Sequence, residues 1–552
     1  MPHKILLPKL FTSLQDYSPS KFISDLTAGI IVGIIALPLA IAFAIASGVT
    51  PDKGLVTAIV AGFLISVLGG SRVQIGGPTG AFVVIVYGIV QQYGIDGLTI
   101  ATMMAGALLI VMGFAGFGIA IKYIPYPVVV GFTSGIAVVI FSSQVKDFLG
   151  LSTGTVPADF VEKWKLYFEN FHSFNWSAAS VAVFTVMAIS VWSKYVKKIP
   201  GSIAILILTI LGTQMLNLPV ETIGSRFGDL PHSLPMPHWP QINWEVLQHL
   251  IKPAFTIAML AGIESLLSAE ISDGMIGGRH RSNMELIAQG IANIASALFG
   301  GIPATGAIAR TVTNIKNGGR TPVAGIVHAI VLLFIVFFVG PLVKLIPLAA
   351  LAGILVIVSY HMSEWRSFLS ILKGPRNGSV VLLSTFAITV LFDLTVAIEI
   401  GIVLSAILFM HRISKLTHVK IIDEEVEEEP AESISRLKVP SGIEIYEING
   451  PLFFGASHRF EEAMRIVSKK PKVRILRLRN VPIVDATGLN SLKGFYEQCK
   501  QDGIALVISG THVQPLNAIK KSGLYDLIGE KNFCGSIREA VQRAQDLKDQ
   551  AV

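Results

Sequence analysis

The sequence GGPTGA at Gly76–Ala81 recurs as GGIPATGA at Gly300–Ala307, once in each half of a long apolar region. Each copy follows an apolar stretch and opens another that is too short to cross a bilayer alone. Paired half-helices, interrupted by glycine and proline at matching positions of two halves, indicate a transporter's binding site. The start of such a helix presents free backbone N–H groups and a positive dipole end. Two facing starts therefore predict a buried anion site.

The composition of the chain is that of a membrane protein. Of its 552 residues, 52% are hydrophobic and only 15% are charged, whereas soluble proteins average about 25% charged residues. The apolar material runs from about Phe22 to about Met410. The net charge of +7 does not indicate a nucleic-acid partner, because the basic residues concentrate in loops that we assign to the cytoplasm. The two cysteines, Cys499 and Cys534, are typical of a reduced compartment.

Fourteen apolar segments are predicted, because a full span needs about 20 apolar residues. Two are the half-helices near 78–92 and 305–315, and a polar loop at 218–249 divides the set into seven plus seven. The twelve full spans are expected near 24–47, 53–70, 98–120, 124–142, 176–193, 200–217, 250–271, 284–299, 321–342, 344–360, 378–393 and 394–411.

An odd number of crossings in each half makes the halves inverted relative to each other, the topology that alternating access uses. The basic residues then place both termini in the cytoplasm, with the protein in the inner (plasma) membrane.

The chain beyond the last span is predicted to be a separate soluble domain. An acidic run at 423–430 is typical of a solvated linker. We expect a cytoplasmic segment at 1–21, a transmembrane domain at 22–415, an acidic linker at 416–438 and an α/β domain at 439–552, since alternating strands and helices indicate α/β layers. Strands are predicted at Glu444–Ile448, Val473–Leu478 and Ala505–Ile508, and helices at Ser457–Ser468, Gly488–Gln501, Val513–Ser522 and Ser536–Lys548.

Glu264 is the acid that the apolar pattern singles out. It lies in MLAGIESLL at Met259–Leu267, within a predicted span, where a charged side chain is costly and therefore a functional candidate. Because an apolar setting favours the neutral form of a carboxylate, Glu264 is predicted to bind a coupling proton or sodium ion. The alternative is a carboxylate paired with another helix for structural reasons.

Arg310 lies one turn into the second predicted half-helix and is the candidate cation of the anion site. Its alternatives are a structural pair with a buried acid and a snorkelling cation. Thr79 is predicted to donate its hydroxyl to the anion, to cap the first half-helix, or to do both. Phe43, in the first span, belongs either to the core or to the pocket.

Two further acids, Asp393 and Glu399, lie near a predicted corner between helices, where we favour a structural or gating role over substrate contact. The sequence has no Walker P-loop, no zinc-type cluster and no Ser/His/Asp set. It therefore predicts neither an enzyme nor an ATP-driven pump. It indicates no metal or cofactor site besides a coupling proton or sodium ion.

Motifs along nearly the whole chain resemble those of the SulP (sulfate permease) family of anion transporters with a C-terminal STAS domain. The matching stretches are Asp25–Gly29, Leu37–Ala40, Gly76–Phe82, Gly131–Gly135, Ile263–Leu267, Asn283–Asn293, Ala304–Arg310 and Val484–Leu489. Within the family, ATGAIAR at Ala304–Arg310 and GPLFF at Gly450–Phe454 are most similar to the bacterial aerobic C4-dicarboxylate (succinate) transporters.

This resemblance implies seven-plus-seven inverted repeats that form a core and a gate domain, and a homodimer. It places the anion between the two half-helix starts and implies that Phe43 lines the site and that Glu264 serves cation coupling. The residues implied to bind the anion at the half-helix starts are Thr79, Gly80, Ala307, Ile308, Ala309 and Arg310.

Two positions depart from the patterns that the sequence resembles. Many relatives carry serine where Ala309 stands, which leaves more of the binding to the backbone and to Arg310. The STAS domain resembles anti-sigma-factor antagonists, in which a phosphorylatable serine follows the motif's aspartate. Here Ala486 follows Asp485, which excludes phosphorylation at that position. We interpret the neighbouring Thr487 as a cap of the next helix, and the domain type implies a cytosolic protein partner.

The leading interpretation is a secondary active anion transporter with an elevator-like movement of the core against the gate. Its expected activity is proton-coupled uptake of C4-dicarboxylates such as succinate, or of sulfate. A sodium-coupled bicarbonate transporter, a passive anion channel or exchanger, and a sensor that acts through the STAS domain stay open. A nucleobase permease shares the architecture, but the STAS domain and Arg310 count against it.

Overall fold

The computed structural model forms two compact units, Met1–Val403 and Leu404–Val552. It describes residues 6–119, 124–196, 201–228, 233–240, 244–392, 394–416, 418–422, 439–453, 460 and 471–550. The predicted helix at Ser457–Ser468 and most of the acidic linker lie outside these ranges.

Helices fill the first half of the membrane region. They are α1 (Lys9–Ser13), α2 (Pro19–Ala46), α3 (Pro51–Leu68), α4 (Val83–Phe114), α5 (Tyr126–Leu149), α6 (Phe160–Glu169), α7 (Trp176–Tyr195) and α8 (Gly201–Met215). A 3₁₀ turn at Gly80–Phe82 leads into α4, and Gly94, with φ 67° and ψ −169°, divides α4 into a half-helix and a full span. The kink confirms the predicted half-helix, because the left-handed conformation that ends it is open to glycine at little cost.

The second half repeats this arrangement after a short helix α9 (Ile223–Phe227). Its helices are α10 (Trp244–Ile276), α11 (Ser282–Leu298), α12 (Ile308–Lys316), α13 (Val323–Val343), α14 (Leu348–Met362), α15 (Trp365–Leu372), α16 (Arg376–Leu391) and α17 (Leu394–Leu416). The short α12 is the second predicted half-helix. With the terminal and connecting helices α1, α6, α9 and α15 left aside and α4 counted as two, the predicted seven-plus-seven arrangement is confirmed.

The length and composition of the described helices fit a membrane protein. Six helical stretches are long and apolar enough to cross a bilayer: Pro19–Ala46, Pro51–Leu68, Gly80–Phe114, Tyr126–Leu149, Trp244–Ile276 and Leu348–Leu372. Four shorter apolar helices accompany them, at Trp176–Trp192, Gly201–Met215, Val323–Phe338 and Arg376–Leu391.

The membrane helices pack into two groups. In the first group, α2, α3 and α4 pack against α10, α11 and α13. In the second group, α5 and α7 pack against α14, and α5 packs against α16. The first group holds both half-helices, so it corresponds to the expected core, and the second corresponds to the expected gate.

The C-terminal unit contains the predicted α/β domain. Its sheet has the order β3 (His418–Ile422), β4 (Ile443–Asn449), β5 (Val473–Asn480), β6 (Ala505–Ser509), β7 (Phe533–Cys534), in which β3 is antiparallel to β4 and the other neighbours are parallel. The helices are α18 (Ala486–Gln501), α19 (Val513–Lys521), α20 (Leu524–Ile528) and α21 (Ile537–Gln550). Strand β3 lies where the sequence predicted the start of a linker.

Helices cover both faces of this sheet. Ile537, Ala540 and Val541 of α21 pack on one face against Ile475 and Val507. On the other face, α18, α19 and α20 contribute Leu492, Phe495, Ile519, Leu524 and Ile528. Because both faces are covered, β5 is buried continuously from Val473 to Leu478, with Arg474 and Arg477 included, rather than at alternate positions.

The interpretation of Thr487 as a helix cap is wrong. Asp485 precedes α18 and its Oδ1 accepts a hydrogen bond of 2.8 Å from the N–H of Gly488. Thr487 lies inside the helix instead. A carboxylate at the cap position also suits the positive end of the helix dipole.

Candidate functional site

A two-stranded ribbon sets the two half-helix starts side by side. In this ribbon β1 (Gly76–Gly77) pairs antiparallel with β2 (Thr305–Gly306). The N–H of Ala307 then donates a 2.9 Å hydrogen bond to the carbonyl oxygen of Ile75. The chain leaves each strand directly into a half-helix, which fixes the relative position of the two helix starts.

Gly77 shows why the first copy of the motif is rich in glycine. Its φ of +148° lies in a region that L side chains rarely adopt, and a Cβ at this position would lie 2.4 Å from Nη1 of Arg310. Only glycine allows the ribbon and the guanidinium to occupy adjacent space.

Arg310 is buried in the third position of α12, with 3% of its surface exposed. Its Nη2 donates to the carbonyl oxygen of Pro78, and Nη1 lies 3.5 Å from the carbonyl oxygen of Gly76. Within the described residues, no carboxylate lies within 4 Å of it. Arg310 therefore binds the segment before the first half-helix through neutral carbonyl groups. The positive charge of its guanidinium is left available to an anion.

Glu264 on α10 reaches the start of the first half-helix. Its Oε2 accepts a 2.8 Å hydrogen bond from the hydroxyl of Thr79. It also interacts electrostatically with Arg310. The structure therefore brings together three of the polar residues that the sequence singled out, Thr79, Glu264 and Arg310, although they lie far apart in the chain.

Thr79 precedes the 3₁₀ turn at Gly80–Phe82, but its side chain makes no capping hydrogen bond. The expectation that Thr79 caps the half-helix is therefore wrong. With its hydroxyl directed at Glu264, the N–H groups of the turn are left without that side-chain acceptor. This is the arrangement that a helix-start anion site needs.

Phe43 and Gly80 lie at the boundary between the two helix groups. A Cβ on Gly80 would lie 3.2 Å from Cε1 of Phe43, 2.8 Å from Cδ1 of Ile140 and 3.1 Å from Sδ of Met362. Phe43 belongs to α2 of the first group, whereas Ile140 on α5 and Met362 on α14 belong to the second. Phe43 is buried, and it contacts the half-helix start as well as contributing to the core.

The remaining predicted contacts follow the first turn of α12. Ala307, the residue before the helix, is buried, Ile308 is half-buried and Ala309 is exposed. Ala309 is therefore the residue of this first turn whose side chain is accessible. Glu399 on α17 is exposed and shares no hydrogen bond or ion pair with the described residues of the site. Asp393 lies outside the described residues.

Two buried carboxylates carry structural roles that the sequence analysis did not assign. Oε2 of Glu285 accepts from the N–H groups of Gly70 and Ser71 at 2.8 and 3.0 Å, and Oε1 accepts from Ser265 and Gln289 at 3.1 and 2.9 Å. With all four bonds made, the cost of burying this charge is offset. Glu285, Gln289 and Asn293 recur at every fourth position, which places them on one face of α11 and is the sequence signal for this role.

Asp25 joins α2 to the segment before α13. It accepts hydrogen bonds from the N–H of Arg320 at 2.8 Å, the N–H of Thr321 at 3.2 Å and the hydroxyl of Thr321 at 2.5 Å. The hydroxyl of Tyr17 donates to it at 3.1 Å. Like Glu285, this carboxylate fixes the scaffold around the site and does not reach the half-helix starts.

Two cavities among the described residues lie elsewhere. One, of about 100 Å³, is lined mainly by apolar side chains of α2, α3 and α13. The other, of about 360 Å³, is lined by apolar side chains of α3, α11 and α13. Neither contains Thr79, Glu264 or Arg310 in its lining, so the candidate site is defined here by its polar groups.

The family model described as "Sulfate permease family" matches residues 22–385, which is more than half of the chain. The chain belongs to the sulfate permease family. The STAS domain model matches residues 435–544. Family membership and the relatives below make this protein an anion transporter with a STAS domain, and not an enzyme.

Curated relatives match nearly the whole length of the chain. "Putative sulfate transporter YvdB" of Bacillus subtilis (strain 168) is 41% identical over 521 residues, 94% of this chain and 97% of that protein. Bicarbonate transporter BicA of Picosynechococcus sp. (strain ATCC 27264 / PCC 7002 / PR-6) is 28% identical over 538 residues, 94% of either protein.

Solved structures show the same architecture. The transmembrane domain of a cyanobacterium bicarbonate transporter BicA superposes with a TM-score of 0.63 at 30% identity, over 70% of this chain and 98% of that one. Murine Slc26a9 superposes with a TM-score of 0.87 at 18% identity, over 98% of this chain and 94% of that one. The likeness to Slc26a9 concerns the fold alone. The relatives named here transport sulfate or bicarbonate by their names, so the likeness to C4-dicarboxylate transporters stays a prediction.

Proposed function

We propose that this protein is a secondary active transporter of a small oxyanion, and that sulfate is its first candidate substrate. The observation that carries the proposal is the cluster of Thr79, Glu264 and Arg310 at the two half-helix starts, joined by the 2.8 Å bond between Thr79 and Glu264. The sulfate transporter name of the 41% identical relative supports sulfate. Succinate and bicarbonate are the competing substrates.

The cluster links cation binding to anion binding through charge. When Glu264 is ionised, its carboxylate opposes the effect of Arg310 on a nearby anion. When Glu264 takes up a proton, the guanidinium acts on the anion without that opposition, and the hydroxyl of Thr79 is free to turn towards it. Each ligand therefore favours the other, which is the requirement for symport.

An elevator-like movement is supported by contacts between the half-helix of α4 and the connection after α5. Tyr87, on the half-helix of α4, donates to the carbonyl oxygen of Val156, and Nζ of Lys163 lies 5.9 Å from the centroid of its ring. Val156 and Lys163 belong to the connection between α5 and α7, two helices of the second group. Ala309, at the start of the other half-helix, is exposed. We infer that the contacts at Tyr87 close one entrance while the other is open.

Transport assays on reconstituted protein test the proposal. Proteoliposomes with an imposed inward proton gradient are expected to accumulate labelled sulfate more than labelled succinate or bicarbonate, and a sodium gradient alone is expected to add little. Accumulation that follows sodium and bicarbonate instead would replace both the substrate and the coupling ion. Uptake that only equilibrates, whichever gradient is imposed, would show a passive pathway.

A homodimer, a cytoplasmic position for both termini, and the division into a segment at 1–21, a transmembrane domain at 22–415 and a following α/β domain are parts of the same proposal. They are supported by family membership and by the basic loops of the sequence. The linker predicted at 416–438 is too long at its start, because β3 (His418–Ile422) belongs to the sheet of the α/β domain.

A further inference from the structure

The N-terminal helix α1 and the residues before it are hydrogen-bonded to the end of α3 and the start of α11. The N–H of Lys9 donates a 2.9 Å hydrogen bond to the carbonyl oxygen of Gly69, directly after α3. Nη1 of Arg281, directly before α11, donates to the carbonyl oxygens of Leu7 and Pro8 at 2.5 and 3.2 Å. Because α3 ends and α11 begins here, α1 lies where the membrane helices meet the aqueous phase.

Apolar side chains around α1 face away from the protein. Leu6, Leu7, Phe11 and Leu14 are exposed, and Phe11 keeps 56% of its surface accessible. At the start of the first membrane span, Phe22 and Ile23 are exposed as well, as is expected of side chains that face lipid. Exposed apolar groups of this size beside a membrane span are typical of a segment that lies in the bilayer interface.

Cations gather on the protein side of the same helix. Lys9 lies within electrostatic range of Arg72 and Arg281. Burial of its side chain, together with the charges of Arg281 and Arg72, lowers the pKa of Lys9. Like charges held close together in this way favour an anion as their partner.

Asp273, the acidic residue near Lys9, already has hydrogen-bond partners. Asp273 accepts hydrogen bonds from the backbone N–H of His280 at 2.6 Å and is joined to Nδ1 of the same residue at 2.8 Å. Nη2 of Arg72 donates to the carbonyl oxygen of Gly277 at 3.2 Å. Among the described residues, no hydrogen-bond acceptor or ion-pair partner reaches the ammonium group of Lys9, so the cluster keeps an excess of positive charge.

We propose that Leu6–Leu14, together with Arg72 and Arg281, binds the headgroup of an anionic phospholipid. In this site Lys9 and the free N–H groups of the two arginines donate to the phosphate. The acyl chains of the lipid lie along Phe11, Leu14 and the lipid-facing start of α2. A soluble anion would satisfy the cations but would leave the apolar side chains exposed to water, which is why the occupant is a lipid.

Lys9→Gln tests this site in the full-length protein. Purified protein is titrated with phosphatidylglycerol and with phosphatidylcholine, and bound lipid is counted by native mass spectrometry. The wild type is expected to prefer phosphatidylglycerol. Lys9→Gln is expected to weaken phosphatidylglycerol binding about fivefold, because one basic residue at an anionic surface contributes about 1 kcal/mol. Phosphatidylcholine binding is expected to stay unchanged.

Lys21→Gln is the matched control. It removes the same charge in the first turn of α2, but Nζ of Lys21 already donates to the carbonyl oxygen of Asp16 at 2.6 Å. Equal weakening in both variants would show diffuse surface attraction and overturn the site, as would a wild type without preference for phosphatidylglycerol. In the last experiment, inorganic phosphate at high concentration is added as a competitor. Displacement of phosphatidylglycerol by phosphate alone would assign the cluster to a soluble anion instead.

Discussion

At the scale of single residues, the hydrogen bond from Thr79 to Glu264 separates two possible roles of the acid. A purely structural carboxylate would resemble Glu285, whose two oxygens accept four hydrogen bonds. Glu264 has one such bond, is half-buried and lies near the guanidinium of Arg310. An acid with free acceptor capacity beside a candidate anion site suits a group that binds and releases a cation.

Glu264→Gln is expected to abolish accumulation driven by a proton gradient while anion exchange across the membrane continues. The amide matches the shape of the protonated acid and still accepts a hydrogen bond from Thr79, but it binds no proton. Gradient-driven uptake and counterflow of labelled anion in proteoliposomes measure the two activities separately. Wild-type accumulation by the variant would move the coupling role to another acid.

Arg310→Ala is expected to weaken binding of a divalent anion by about tenfold or more, because a charge-assisted hydrogen bond contributes about 1.5–3 kcal/mol. Binding of a monovalent anion is expected to weaken less, because the Coulomb energy scales with ligand charge. Since Arg310 also bonds the carbonyl oxygen of Pro78, thermal unfolding must be measured on the same sample. Arg310→Lys is the control, since it keeps the charge and loses the planar fork. Equal losses for both anions would support a structural role.

At the scale of elements, glycines at the half-helix starts allow the close approach of the two half-helices. The sequence predicted both half-helices, their matching positions and the fourteen segments, because span length and glycine–proline interruptions are local signals. It did not predict that Thr79 bonds Glu264 or that Asp485 rather than Thr487 caps α18. The bond from Thr79 to Glu264 joins residues 185 positions apart, so it depends on packing between distant segments. The cap of α18 depends on the residue at which the helix begins, and sequence patterns locate helix ends only to within a few residues.

Gly80→Ala is expected to raise the substrate concentration needed for half-maximal uptake. The new methyl group would lie 2.8 Å from Cδ1 of Ile140 and 3.2 Å from Cε1 of Phe43, and overpacking of this kind costs about 1–3 kcal/mol. Concentration dependence of uptake, measured with thermal stability, tests this expectation.

Gly88→Ala is the matched control for Gly80→Ala. It changes a glycine of the same half-helix, and nothing lies within 4 Å of the added Cβ. Alanine in a helix is favoured over glycine by about 1 kcal/mol, so this variant is expected to be as active as the wild type and slightly more stable. A similar loss of uptake in both variants would show that the half-helix, rather than the space at Gly80, is sensitive to substitution.

At the scale of the whole molecule, the membrane sidedness of the two compact units can be tested through cysteine chemistry. The native thiols are poor reporters. Cys499 is fully buried and Cys534 is half-buried, and burial raises the pKa of both thiols. Because the thiolate is the reactive form, low labelling of either residue would not reveal which side of the membrane it faces.

Exposed positions give a decisive test in a variant that carries Cys499→Ala and Cys534→Ser. Val513, at the start of α19, is 77% exposed, and Phe168, on α6 between two spans of the first half, is 73% exposed. An impermeant maleimide added to intact cells is expected to label Phe168→Cys and to reach Val513→Cys only after the membrane is permeabilised. This result requires an even number of crossings before the C-terminal unit and places α6 outside, on the side where Lys163 contacts Tyr87. Ready labelling of Val513→Cys in intact cells would place the STAS domain outside and reverse the assigned direction of every span, because basic loops and crossing number together determine the orientation.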